Sequence, residues 1–182
     1  MARLPYVDPA SAPEQVRELL ERLPVKLNIF RMMAHATTDF RPLVGLGSAI
    51  LARQKLSPKL RELAILRVAV LSPARYEWVQ HVPIAQAMGA TPAQVAALER
   101  GDIAADVFDS LERVVLRFTT EVVRDVRASE ATFAELAQRL SAQEIVELII
   151  TVGYYMMIAR LLETTAVDLD PPAGTKVVDA IR

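Results

Sequence analysis

The stretch Tyr76-Glu77-Trp78-Val79-Gln80-His81 holds the densest set of side chains able to move protons. Glu77 and His81 are four residues apart, so on a helix they share a face and can touch. A carboxylate beside an imidazole fixes its tautomer and makes it a usable general acid or base. Pro83 follows and, within a helix, leaves the Val79 carbonyl without its usual donor, which suits the wall of a ligand site. The same spacing also suits an exposed Glu–His pair that only adds helix stability.

Glu62 and Arg67 lie in the preceding apolar stretch, and buried charge is costly unless paired. They are five residues apart, on different faces, so each needs a partner from another element. Glu62 can meet His81 if their helices form an antiparallel hairpin through Ser72-Pro73, and Arg67 suits either a structural ion pair or a substrate carboxylate. Tyr154 and Tyr155 sit in the last apolar helix, where hydroxyls orient a ligand or bond within the core. His35 has no acid beside it. Glu62, Glu77 and His81 are acceptable ligands for divalent ions, but no HExxH pattern accompanies them and no metal is expected. Gly45-Leu46-Gly47 lacks the third glycine and the strand of a dinucleotide site.

The elements that must position these groups read as helices joined by short turns. Ser11-Ala12-Pro13-Glu14, Thr91-Pro92-Ala93-Gln94 and Ser141-Ala142-Gln143-Glu144 each have the form of a capping box. Ser57-Pro58 and Ser72-Pro73 read as helix starts, since proline in the first turn loses no hydrogen bond. The expected helices run to 22, over 27–37, from 42 to 54, over 58–71, 73–88 and 92–101, over 106–126 and 129–140, and from 142 to 165. Those at 58–71 and 142–165 are apolar nearly all round and should be buried. No segment alternates as a strand would. The expectation is an all-α, single-domain bundle of about seven to eight helices over 1–182, with irregular ends at about 1–10 and 170–182. Two all-round apolar helices in so short a chain point to a homo-oligomer.

Composition narrows the function classes. The 182 residues carry 21 Lys and Arg against 22 Asp and Glu, which gives no global footprint for nucleic acid or anionic membrane. Aromatic content of 5% argues against a stacking surface for single strands. There is no cysteine, which excludes disulfides, thiolate metal sites and thiol catalysis. Met1-Ala2-Arg3-Leu4-Pro5 leads into no apolar signal segment, and the most apolar run, 148–159, is shorter than the roughly 20 residues that span a bilayer. A cytoplasmic protein with no membrane partner is the expectation.

Leu60-Arg61-Glu62-Leu63-Ala64-Ile65-Leu66-Arg67-Val68-Ala69, then Tyr76 to His81, then Gly89, resembles the carboxymuconolactone decarboxylase family. The helix from Glu144 through Gly153-Tyr154-Tyr155 to Leu162 is similar to that family's C-terminal helix, and the likeness runs from about Phe30 to Val167. It implies an alkylhydroperoxidase-like all-α fold assembled as trimers or hexamers. It also implies one of two chemistries. The peroxidase branch uses a CxxC pair with a glutamate and a histidine, whose positions here hold Ala74 and Glu77 for the cysteines, Glu62 and His81. Without the thiols that cycle is excluded. The decarboxylase branch needs no cofactor and acts in aromatic degradation. The resemblance therefore implies a cofactor-independent lyase or isomerase acting on a small carboxylated or lactone substrate. His81 would move the proton, and Glu77 and Glu62 would tune it. Arg67, Tyr155 and Trp78 would bind the substrate. The competing reading is a non-catalytic helical oligomer that binds a small ligand or a partner.

Overall fold

Ten successive residues, 60–69, are buried in the computed structural model, and the fold is built around the helix that carries them. The structure describes residues 1–176. Among these there are nine α-helices, one short 3-10 turn at Pro9–Ser11 and no strand. The helices are α1 (Glu14–Arg22), α2 (Asn28–Met33), α3 (Phe40–Arg53), α4 (Pro58–Leu71), α5 (Arg75–Ala87), α6 (Pro92–Glu99), α7 (Ser110–Asp125), α8 (Glu130–Ala137) and α9 (Ala142–Thr165). The count exceeds the expected seven to eight, but the all-α class stands.

α4 packs against α5, α7 and α9. Leu56, Ile65, Val115, Leu136 and Val152 form one core on its α7–α9 side. Leu63, Leu66, Leu98 and Phe108 form another towards α6. A third core joins α1 and α2 to α3, α5 and α9 through Val16, Leu20, Phe40, Tyr76 and Ile158.

Side-chain caps set four of the nine described helix starts. Thr91, Asp109 and Ser141 each close a capping box, and the Ser129 hydroxyl accepts from the Thr132 N–H. Two expected starts fail. Ser11 falls in the 3-10 turn capped by Asp8, so α1 begins at Glu14 without a side-chain cap. Pro73 belongs to the turn that ends α4, because the Ser72 and Ala74 N–H groups bond back to the Val68 and Ala69 carbonyls. α5 therefore opens at Arg75 and then runs through Pro83.

α9 is longer than its most apolar run suggests, and by length and composition alone it could cross a membrane. One face of it is buried against the other helices through Leu148, Val152, Tyr155, Ala159 and Leu162, while Val146, Ile149, Ile150 and Met157 stay exposed. Of the expected irregular ends, 1–10 and 170–176 contact their own chain, and 177–182 lie outside the described residues. Arg3 N–H donates to the Thr165 carbonyl at 2.8 Å, and the Tyr6 hydroxyl donates to Asp168 at 2.9 Å. His35 Nε2 lies 2.6 Å from the Pro5 carbonyl, which gives it a structural role.

Candidate active site

Glu62 on α4 lies ten residues before the turn at 72–74 and His81 on α5 seven after it, and the helical hairpin brings them side by side. His81 Nδ1 lies 2.9 Å from Glu62 Oε2. With Nδ1 donating there, Nε2 carries the lone pair, and it has no partner among the described residues. The other Glu62 oxygen accepts from Arg61 Nε at 3.1 Å, and Arg61 Nη1 reaches the Ile50 carbonyl at 3.4 Å. Glu62 is fully buried, so this ion pair has to neutralise it. The Tyr155 ring meets the imidazole edge-on, with centroids 4.8 Å apart. Burial and the nearby Glu62 push the Tyr155 phenol well above its usual range.

His81 lines a cavity of about 120 Å³. Tyr76, Glu77, Gln80 and Ile84 of α5 form one wall. Tyr154, Tyr155 and Ile158 of α9 form a second, and Val44, Gly47, Ser48 and Leu51 of α3 a third. Leu23, Pro24, Leu27, Ile29, Phe30 and Met33, around α1 and α2, close it. Most polar atoms in this lining are already engaged. Tyr76 donates to Asp170 at 2.5 Å, Tyr154 to the Leu43 carbonyl at 3.1 Å and Ser48 to the Val44 carbonyl at 2.9 Å. Gly47 is required for the Tyr154 contact: a Cβ there would lie 2.6 Å from the Tyr154 hydroxyl oxygen. Burial and the neighbouring Glu77 push Tyr154 up to about 12.

Glu77 is not among the engaged groups. It is 2% exposed, and neither carboxyl oxygen has a hydrogen-bond partner among the described residues. Burial, with a smaller contribution from Glu163, holds its carboxyl well above the usual carboxylate range. The expected Glu77–His81 hydrogen bond is not formed, because Glu62 across the hairpin takes Nδ1. Two acids thus flank His81 in opposite states of satisfaction. Glu62 is bonded on both oxygens and Glu77 on neither.

The hairpin and α9 bring together His81, Glu77, Glu62 and Tyr155, but not Arg67 or Trp78. Arg67 Nε donates to Thr120 on α7 at 2.9 Å, and burial together with Arg124 lowers its affinity for its proton. Arg67 does not line the cavity. The guanidinium beside Glu62 is that of Arg61, which the spacing did not suggest because adjacent helical residues diverge. Trp78 packs on the core of Leu66, Leu98 and Phe108, facing away from the cavity. Among the described residues no group of three or more His, Asp or Glu side chains is arranged to hold a metal ion.

Residues 40–121 match the sequence model of the carboxymuconolactone decarboxylase family. This segment belongs to that family. No functionally curated protein matches the chain. Solved structures do, across its whole length. One is an uncharacterized peroxidase-related protein from Ralstonia eutropha JMP134 with the alkylhydroperoxidase AhpD core. It has 19% identity and a TM-score of 0.79, with 100% of this chain and 97% of that chain covered. An uncharacterized peroxidase-related protein from Silicibacter sp. TM1040 has 19% identity and a TM-score of 0.77, with 100% and 96% covered. A variant of the debrominase Bmp8, in complex with 2,3,4-tribromopyrrole, has 18% identity and a TM-score of 0.76, with both chains covered completely. The fold is therefore alkylhydroperoxidase-like. The family segment supplies α3 to α5, with Glu62, Glu77 and His81, but not α1, α2 or α9.

Proposed function

We propose that this chain is a cofactor-independent lyase or isomerase that shifts a proton on a small, uncharged, lactone-like substrate. The unequal pair of acids around His81 carries this reading. His81 Nε2 takes a proton from the carbon beside a carbonyl. The protonated Glu77 carboxyl donates to the carbonyl oxygen, giving an enol. Return of a proton from His81 to a different carbon, as the enol O–H gives its proton back to the Glu77 carboxylate, completes a double-bond shift and restores both groups. Acid and base with opposed environments are the usual mark of such chemistry, and a neutral acid in an apolar site is an effective donor to a developing enolate.

The cavity supports an uncharged substrate over a carboxylated one. Among the described residues no Lys or Arg lines it, and Arg67, the sequence-based candidate for a carboxylate, sits elsewhere. Its volume, about 120 Å³, is the size of a single small ring. The cocrystallised ligand of the structurally similar debrominase is also a single ring, which is in keeping with this reading. The working form would be a cytoplasmic homo-oligomer, a trimer or hexamer. The half-exposed apolar stripe Val146, Ile149, Ile150 and Met157 on α9 supports that assembly.

The test pairs an uncharged β,γ-unsaturated γ-lactone with γ-carboxymuconolactone. Isomerisation of the first that is lost in His81→Ala is the expected result. Turnover of the second alone, with CO2 release, would replace this reading by decarboxylation.

A further inference from the structure

The cavity is closed by a part of the chain that lies outside the family match. Leu23, Leu27, Phe30 and Met33 all precede residue 40, where that match begins. This roof is joined to the α5 wall by an extended segment following α9. One carboxylate oxygen makes the junction. Asp170 Oδ2 accepts from the Asn28 backbone N–H at 2.7 Å and from the Tyr76 hydroxyl at 2.5 Å. Asn28 belongs to the roof, and Tyr76 lines the cavity.

The contacts around Asp170 reinforce the same geometry. Asn28 Nδ2 donates to the Asp168 carbonyl at 3.2 Å. Gln80, a second cavity-lining residue, donates to the carbonyls of Asp170 at 3.1 Å and Pro171 at 3.2 Å, and accepts from Ala173 N–H at 3.0 Å. The extended segment therefore holds the roof on one side and two wall residues on the other.

We propose that Asp170 is a positioning residue that latches the residue 23–33 roof onto α5 and thereby controls access to the cavity. The roof residues then set the shape of what is admitted: Leu23, Leu27, Phe30 and Met33 offer only apolar and aromatic surface, so a flat apolar ring is favoured. Opening requires release of the Asp170 junction and leaves the α4, α7 and α9 core in place.

The test is the rate at which hydrogen peroxide oxidises Met33 in the full-length protein, resolved by peptide mass spectrometry. Met33 is 3% exposed and lines the cavity, whereas Met156, partly buried against the α4–α7–α9 core, reports the rest of the fold. Asp170→Ala is expected to raise the Met33 rate about tenfold or more, since both charge-assisted bonds are lost. Tyr76→Phe, which deletes one bond and keeps the ring, should raise it less. Met156 should be unchanged in both, and the Met33 rate should not respond to urea below the unfolding transition. A Met33 rate within twofold of wild type in both variants would overturn the proposal. So would parallel acceleration of Met33 and Met156 in both, which would make Asp170 a residue of global stability. The measurement involves no turnover, so its outcome is separate from that of the proton-transfer reading.

Discussion

Glu77→Gln should remove a specific pH dependence from stability. The folded state holds the Glu77 proton far more tightly than the unfolded chain, because both oxygens are buried and unpartnered. A folded pKa raised above the unfolded one gives stability that is fully present below the unfolded pKa. It is lost as pH rises towards the folded pKa. Each pH unit in that window costs about 1.4 kcal/mol. Glutamine has the same shape and no proton to lose. The stability difference between variant and wild type should therefore grow in favour of the variant from pH 5 upwards, at about 1.4 kcal/mol per unit. With a urea slope of roughly 2 kcal/mol per M, the midpoints separate by about 0.7 M per pH unit. Urea titrations of both proteins at one protein concentration, from pH 5 to 8, measure this directly. Other titrating groups cancel in the difference. Midpoints that run parallel across that range would refute the assignment of a buried, protonated Glu77.

Three further outcomes follow from the packing. Glu62→Ala leaves the buried Arg61 guanidinium without its carboxylate and should lower stability by about 3–5 kcal/mol, read as a loss of urea midpoint. Gly47→Ala drives a methyl group against the Tyr154 hydroxyl and should cost about 1–3 kcal/mol, with loss of the Tyr154–Leu43 bond visible in a structure of the variant. Ser141→Ala opens the α9 capping box and should cost about 1 kcal/mol by thermal or urea unfolding, without changing the cavity.

Much of the scaffold was legible because it is set by neighbours in sequence. Ser57-Pro58 and the boxes at Thr91 and Ser141 mark starts that α4, α6 and α9 adopt. The Glu62–His81 pair was legible too, since a tight turn between two helices fixes which residues face each other. Glu77 was not. Spacing shows that it can reach His81, but only the three-dimensional competition shows that Glu62 takes the nitrogen and leaves Glu77 alone. The two arginines were exchanged for a similar reason. Helical geometry separates Arg61 from Glu62, yet its long side chain reaches both the Glu62 carboxylate and the Ile50 carbonyl on α3. Arg67 instead meets Thr120, 53 residues away, a partner that no local pattern could indicate. The roof and the Asp170 junction depend on contacts spanning most of the chain, such as that from Asn28 to Asp170. No motif marks either end.

The central claim is that His81 moves a proton at carbon while Glu77 donates as a neutral acid. Its most direct test is deuterium exchange at the α-carbon of an uncharged β,γ-unsaturated γ-lactone in D2O, followed by proton NMR with wild type, His81→Ala and Glu77→Gln. Wild type should exchange this hydrogen, and His81→Ala should show none above background. Glu77→Gln should retain part of the rate, because the amide still donates a hydrogen bond. Exchange by His81→Ala at the wild-type rate, or none by the wild-type protein, would contradict it.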